Sequence, residues 1–267
     1  MAQSYPTKPV RFIVGFPAAG PNDVLARLMA EWLSAKLGQP FVVENQPGKA
    51  GNIATENVVR SPADGYTILL CGPANAIGAS LYPNLPFNFL RDFTPVGGIT
   101  REALVMVVNP SLPVNNAAEY LAYAKANPGK LKMASTGNGS APHVTAELFK
   151  MMTGVDMVHV PYKGSGQALI GLMGGDVDVL IMAVPASAPQ VQSGKVRALA
   201  VLSEKRAIAL PNVPTTKEAG YDGLEVPIWY GILTTTGTPK DIIARLHGEL
   251  VKAMTSAELK ERLSAAG

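Results

Sequence analysis

The sequence predicts an α/β protein, and three features carry that prediction. Short apolar runs alternate with amphipathic segments along the whole chain, the pattern of helices packed on mainly parallel sheets. Several runs, such as Thr67–Leu70 and Val179–Met182, are apolar almost throughout, as strands covered on both faces require. Twice, at Val10–Asp23 and at Leu131–Met152, a short strand passes through a small-residue loop directly into a helix.

The first strand, Val10–Val14, enters the loop Gly15–Pro21, which contains no Lys or Arg. Small side chains there open the main chain to a ligand, and the first N–H groups of the following helix lack intrahelical partners. The junction therefore reads as an anion site. In that helix Val24, Leu25, Leu28, Met29, Trp32, Leu33 and Leu37 share one face, with Arg27, Glu31 and Lys36 off it. Asn22 or Asp23 is the expected N-cap, and Gly38 the stop. Strands are predicted at Phe41–Glu44, Tyr66–Cys71 and Ala103–Val108.

A second series opens with strand Leu131–Ala134 and the hydroxyl- and glycine-rich loop Ser135–Ser140, again without Lys or Arg. A helix over Ala141–Met152 follows, with Pro142 in its first turn. Strands at Met157–Val160, Val177–Met182, Arg197–Ser203 and Glu225–Leu233 complete it. The two series predict two similar lobes, residues 1–101 with 226–267 and residues 102–225. Chain crossings near Thr100–Ala103 and Glu225–Tyr230 would make a hinge.

Composition narrows the function classes. A chain of 267 residues that is 47% hydrophobic and 16% charged is globular. Its net charge of +3 is small, and Lys205-Arg206 is the only adjacent basic pair, which argues against a nucleic-acid partner. No apolar run approaches the roughly 18–20 residues that a membrane span requires, so direct insertion is not expected. Cys71 is the only cysteine and is expected to sit inertly at a strand end. Met1–Ser4 lack the basic start and apolar stretch of a leader.

Catalytic signatures are thin. There is no G-x-S-x-G elbow and no phosphate-binding G-x-x-x-x-G-K-[ST] loop. Gly137-Asn138-Gly139-Ser140-Ala141-Pro142 misses the dinucleotide pattern because Pro142 replaces its third glycine. His143 and Glu147 have i, i+4 spacing but no third metal ligand. His143 stands in the first turn of the second loop–helix junction, within reach of a ligand. His159 alternates with apolar neighbours and reads as structural, and His247 as surface. Asp23 reads first as a helix cap, and Asp176 and Asp178 as turn residues. Trp229 and Tyr230 could cover a ligand or pack a hinge. What remains is main-chain donor capacity without nearby cations, which suits a carboxylate held by N–H and hydroxyl groups.

Phe16-Pro17-Ala18-Ala19-Gly20-Pro21-Asn22-Asp23-Val24-Leu25-Ala26-Arg27 resembles the P-x-G-G-x-x-D-x-x-A-R signature of the Bug, or TctC-like, receptors of tripartite tricarboxylate transporters. Further blocks agree in family order: Ser61–Thr67, Asp92–Val96, His159–Gly164, Gly174–Asp178, Trp229–Gly231 and Gly237–Pro239. Ala19 stands where the family usually has a second glycine and Asn22 where it often has threonine. The family also usually continues past the final helix, so a trimmed C-terminal segment is expected.

The resemblance implies a two-lobed periplasmic-binding-protein (venus-flytrap) fold, each lobe a mainly parallel sheet flanked by helices. It implies a monomeric periplasmic receptor, its leader removed, that binds a small carboxylate. The expected ligand is a dicarboxylate, aliphatic or aromatic, delivered to the membrane components of the transporter without catalysis or cofactor. Carried onto this chain, it nominates Phe16, Pro17, Ala18, Ala19, Gly20 and Asp23, with Pro73, Ala74 and Asn75, as ligand contacts in the first lobe. In the second lobe it nominates Ser135, Thr136, Asn138, Gly139, Ser140 and His143, with Ala183, Val184 and Pro185. Two rivals remain open: an α/β enzyme on an acidic metabolite with His143 and Asp23 as acid and base, and the same fold feeding a sensor kinase.

Overall fold

The apolar runs become two five-stranded sheets in a computed structural model that describes residues 5–266. Met1–Ser4, where the missing leader was read, and Gly267, where a trimmed end was expected, lie outside the described residues. The chain divides into two compact units, Met1–Thr100 with Trp229–Gly267, and Arg101–Ile228.

The first unit begins with β1 (Val10–Val14), α1 (Pro21–Leu37), β2 (Phe41–Asn45), α2 (Asn52–Val59), β3 (Thr67–Cys71) and α3 (Pro73–Leu81), and β4 (Phe93–Glu102) leads out of it. The second takes β5 (Leu104–Val108), α4 (Ala117–Ala126), β6 (Lys132–Ser135), α5 (Ala141–Thr153), β7 (Val158–Pro161), α6 (Ser165–Gly174), β8 (Val179–Ala183), α7 (Val184–Gln192) and β9 (Arg197–Leu202). The chain returns through β10 (Ile228–Thr235), α8 (Lys240–Thr255) and α9 (Ala257–Ala266).

The two sheets have matching strand orders, β2-β1-β3-β10-β4 and β7-β6-β8-β5-β9. In the first, β1 runs parallel to β2 and β3, while β10 runs antiparallel to β3. In the second, β6 runs parallel to β7 and β8, while β5 runs antiparallel to β8 and β9. Each sheet is therefore mixed. Its parallel half is built by strand–helix–strand crossovers, and its antiparallel half starts at the strand that brings the chain into the unit. Parallel neighbours put the loops after β1, β2 and β3 at one sheet edge, and those after β6, β7 and β8 at the corresponding edge of the other unit.

Burial follows the covered strands. Every residue of β3, β5 and β8 is buried. On α1 the buried set is Asp23, Leu25, Ala26, Met29, Ala30, Leu33 and Leu37, so Val24, Leu28 and Trp32 of the expected face are only half-buried while Ala26 and Ala30 join the packed face. Small residues there let the helix lie close to the sheet. Strand β4 has no counterpart in the sequence prediction, because Pro95 and the pair Gly97-Gly98 read as breakers. It is an edge strand, where proline is tolerated, and it buries Phe93, Val96 and Ile99.

Candidate functional site

In the first unit the loop after β1 is a main-chain cradle. Gly20, in extended conformation, is the N-cap of α1, and Pro21 opens the helix. This corrects the expected cap at Asn22 or Asp23, because proline's fixed φ and missing N–H suit the first helical position. Asp23 lies one turn in, where its Oδ2 accepts the Ala19 N–H at 2.8 Å and Arg27 Nε at 2.9 Å. Burial alone would raise this carboxyl, but hydrogen bonds from Arg27, the Ala19 N–H and Asn45, with the Arg27 charge, hold it below the usual carboxylate range. The N–H groups of Ala18, Gly20, Asn22 and Asp23 have no acceptor among the described residues.

Backbone strain collects around this cradle. Three described non-glycine residues have positive φ, namely Ala19 at 62°, Lys49 at 47° and Ala50 at 53°. The last two belong to the turn after β2, which lies against the cradle: a Cβ on Gly15 would come within 2.7 Å of Gly51 Cα. Such settings persist where surrounding structure enforces them, and they gather at binding sites. Unpaired buried polar atoms collect here too, at Asp23 Oδ1 and at both amide atoms of Asn52. Asn52 was not singled out from the sequence, because a lone Asn after Gly51 reads as a helix start.

The β3–α3 loop contributes shape more than donors. Asn75 is buried, its Oδ1 accepting the Gly72 N–H at 2.9 Å and its Nδ2 donating to Thr55 Oγ1 at 2.8 Å. Ala74 is buried and Pro73 half-buried. A Cβ on Gly72 would lie 3.1 Å from the Trp229 carbonyl oxygen, so this loop closes on β10. Trp229 packs against the core of Ile13, Cys71 and Phe93. Cys71 is buried, and desolvation pushes its thiol up to about 12, which leaves it unreactive.

The second unit repeats the junction after β6. Ser140 is the N-cap of α5 and accepts the His143 N–H at 3.3 Å. Ser135, fully buried, lies 2.7 Å from His159 Nε2 and accepts the Gly137 N–H at 3.1 Å. His143 Nδ1 accepts the Gly139 N–H at 3.2 Å, and its ring stacks on His159 with centroids 4.1 Å apart. Two of the nominated hydroxyls, Ser135 and Ser140, are thus committed internally, whereas Thr136 is half-exposed and without a partner among the described residues. The N–H groups of Thr136, Asn138 and Ala141 likewise lack an acceptor. In the β8–α7 loop the Val184 N–H is taken by the Ala103 carbonyl at 3.0 Å, Ala183 is buried and Pro185 has no N–H, so this loop supplies wall.

His159, expected to be structural, packs against the second junction through Ser135 and His143; these partners come from a different strand and helix, which spacing along one segment could not reveal. His247 is exposed, with Nδ1 2.8 Å from the Val96 carbonyl oxygen. Asp178 Oδ2 accepts the Lys132 N–H at 2.7 Å, a strand-start tie. Among the described residues no three His, Cys, Asp or Glu side chains gather to hold a metal ion, and no helix is long and apolar enough to cross a membrane. Chemically, both cradles offer neutral N–H donors to an anion, and Ser135, the hydroxyl paired with His159, is fully buried.

Known proteins resemble this chain along most of its length. The family model TctC, described as the tripartite tricarboxylate transporter family receptor, matches residues 25–267. Protein BugT of Bordetella pertussis is 39% identical over 268 residues, covering 100% of this chain and 82% of that protein. Among solved structures, R. palustris Rpa4515 with adipate superposes with a TM-score of 0.94 at 38% identity, covering 98% of this chain and 88% of that one. MatC (Rpa3494) from Rhodopseudomonas palustris with bound malate gives a TM-score of 0.92 at 30% identity, covering 98% of this chain and 90% of that one.

Proposed function

The chain belongs to the TctC family of tripartite tricarboxylate transporter receptors, and from that premise we propose that it is an extracytoplasmic receptor for a small dicarboxylate. The family and its structural neighbours are periplasmic solute-binding proteins, not enzymes. On this reading the protein acts as a periplasmic monomer and hands its ligand to the transporter's membrane components. One observation carries the ligand class: both cradles present unpaired N–H groups at helix starts in loops free of Lys and Arg. Such donors offset the desolvation of a carboxylate without a fixed positive charge. Neighbours holding adipate and malate support the same class.

A thermal-shift screen tests it, with acetate, adipate, malate, citrate, benzoate and terephthalate as the panel and sugars and cationic amino acids as controls. A cognate acid at about a hundredfold excess over its Kd adds roughly 2.7 kcal/mol. At about 2–4 °C per kcal/mol for a chain of this size, the midpoint rises by several degrees. A shift confined to the controls overturns the proposal.

A further inference from the structure

Two of the chain's three histidines meet at the second cradle, one from α5 and one from β7. Their rings lie 4.1 Å apart and 22° from parallel. His143 Nδ1 accepts the Gly139 N–H, so its neutral ring carries its proton on Nε2, leaving that atom as a donor. A further proton on Nδ1 would break the Gly139 bond. His159 has no such obstacle. Its Nε2 faces Ser135 Oγ at 2.7 Å, and the same Oγ lies 3.3 Å from the Gly137 carbonyl oxygen. When His159 Nε2 is bare, the Ser135 hydroxyl donates to it. Once Nε2 is protonated, the ring donates to Oγ, and the hydroxyl hydrogen turns to the Gly137 carbonyl. The extra proton on Nε2 is accommodated with its acceptor already in place.

The surroundings leave the pair as the adjustable charge of this cradle. The ionisable groups facing it are Glu147 and Lys150 of α5, themselves paired at 3.1 Å. Strand β6 contributes Lys132 only at its far end, β7 contributes no other ionisable group, and α6 contributes none. Burial pushes both rings below the ordinary imidazole range, and for His159 the neighbouring His143 adds to this, so the free pair is neutral at pH 7. An arriving carboxylate favours the charged form, and like-charge repulsion between stacked rings limits the pair to a single added proton.

Resting on the carboxylate reading above, we infer that His159 is a positioning residue of the second cradle and that the His143–His159 pair takes up one proton from solvent as an acid binds. Binding is then proton-linked. It tightens as pH falls from 8 toward 6, with a slope of at most tenfold per pH unit for one proton.

The probe is the acid of the thermal-shift panel that gives the largest midpoint rise. Calorimetry at pH 7 in phosphate and in Tris, whose ionisation enthalpies differ, reads the proton uptake. In parallel, the histidine ring signals of the unaltered protein are followed by NMR through a pH titration with and without that acid. The expected results are an uptake approaching one proton, the His159 ring signal titrating at higher pH with acid, and the His247 signal unmoved. His159→Gln keeps a donor toward Ser135 but cannot titrate, and its affinity should change less than about twofold between pH 8 and 6. Binding with no proton uptake and unmoved ring signals overturns this inference and leaves the carboxylate reading standing. If no acid of the panel binds, both fall together.

Discussion

Ala19 holds a φ of 62°, a setting that glycine takes freely and alanine only at a cost. In this setting its N–H bonds Asp23, and the N–H groups of Ala18 and Gly20 beside it have no acceptor among the described residues. The small-residue character of this loop was legible in the sequence. Its strain was not, because φ is fixed only in the folded loop, where the Ala19 N–H turns to Asp23. Glu102 is a second residue whose state depends on surroundings that sequence does not display. Burial alone raises its carboxyl to about 7. An acid with a raised folded-state pKa contributes full stability below its unfolded value near 4.5 and loses it as pH climbs toward 7. Glu102→Gln should therefore raise stability at pH 8 by about 1–3 kcal/mol and change it little at pH 4. Urea unfolding at the two pH values checks this, and an equal gain at both would show that titration is not the cause.

At the scale of elements, periodicity located β1, β3, β5, β8 and helices α1 and α5 to within a few residues, because burial on one or both faces writes itself into apolar spacing. It failed for β4, whose buried residues recur every third position along an edge strand. It also failed for the α1 cap, where proline outranked Asn22 and Asp23. The hydroxyl-rich β6–α5 loop and its helix start were recognisable, but which hydroxyls are taken internally depends on His159 from another strand. The contact of two loops at Gly15 and Gly51 gives a test at this scale. Gly15→Ala forces a Cβ into the Gly51 backbone, so it should cost about 1–3 kcal/mol and weaken acid binding. Gly38→Ala, at a helix end with φ of 75° and open space around it, should cost about 1–2 kcal/mol and leave binding unchanged. Denaturant melts with calorimetry on both variants separate the local strain from the loop contact.

Across the whole molecule, the same strand order recurs in both units, with β1 matched by β6, β2 by β7, β3 by β8 and β10 by β5. That correspondence places a cation-free, N–H-bearing loop after the first parallel strand of each unit. Two similar halves were legible in the paired strand–loop–helix junctions, whereas the antiparallel entry strands were not, since strand direction leaves no mark on composition. The central claim, proposed above, is that the N–H-bearing loops after β1 and after β6 are each carboxylate-binding elements. Calorimetry of the best panel acid against the parent, Ala19→Asp and Thr136→Val tests it most directly, with circular dichroism showing each variant folded. Aspartate tolerates a left-handed backbone better than most residues, so Ala19→Asp should fold while placing a like charge in the first cradle, and binding should fail outright. Thr136→Val deletes a free hydroxyl donor and should weaken binding about 10- to 150-fold. If Ala19→Asp binds the acid as tightly as the parent, the loop after β1 is not the anion site and the account is contradicted.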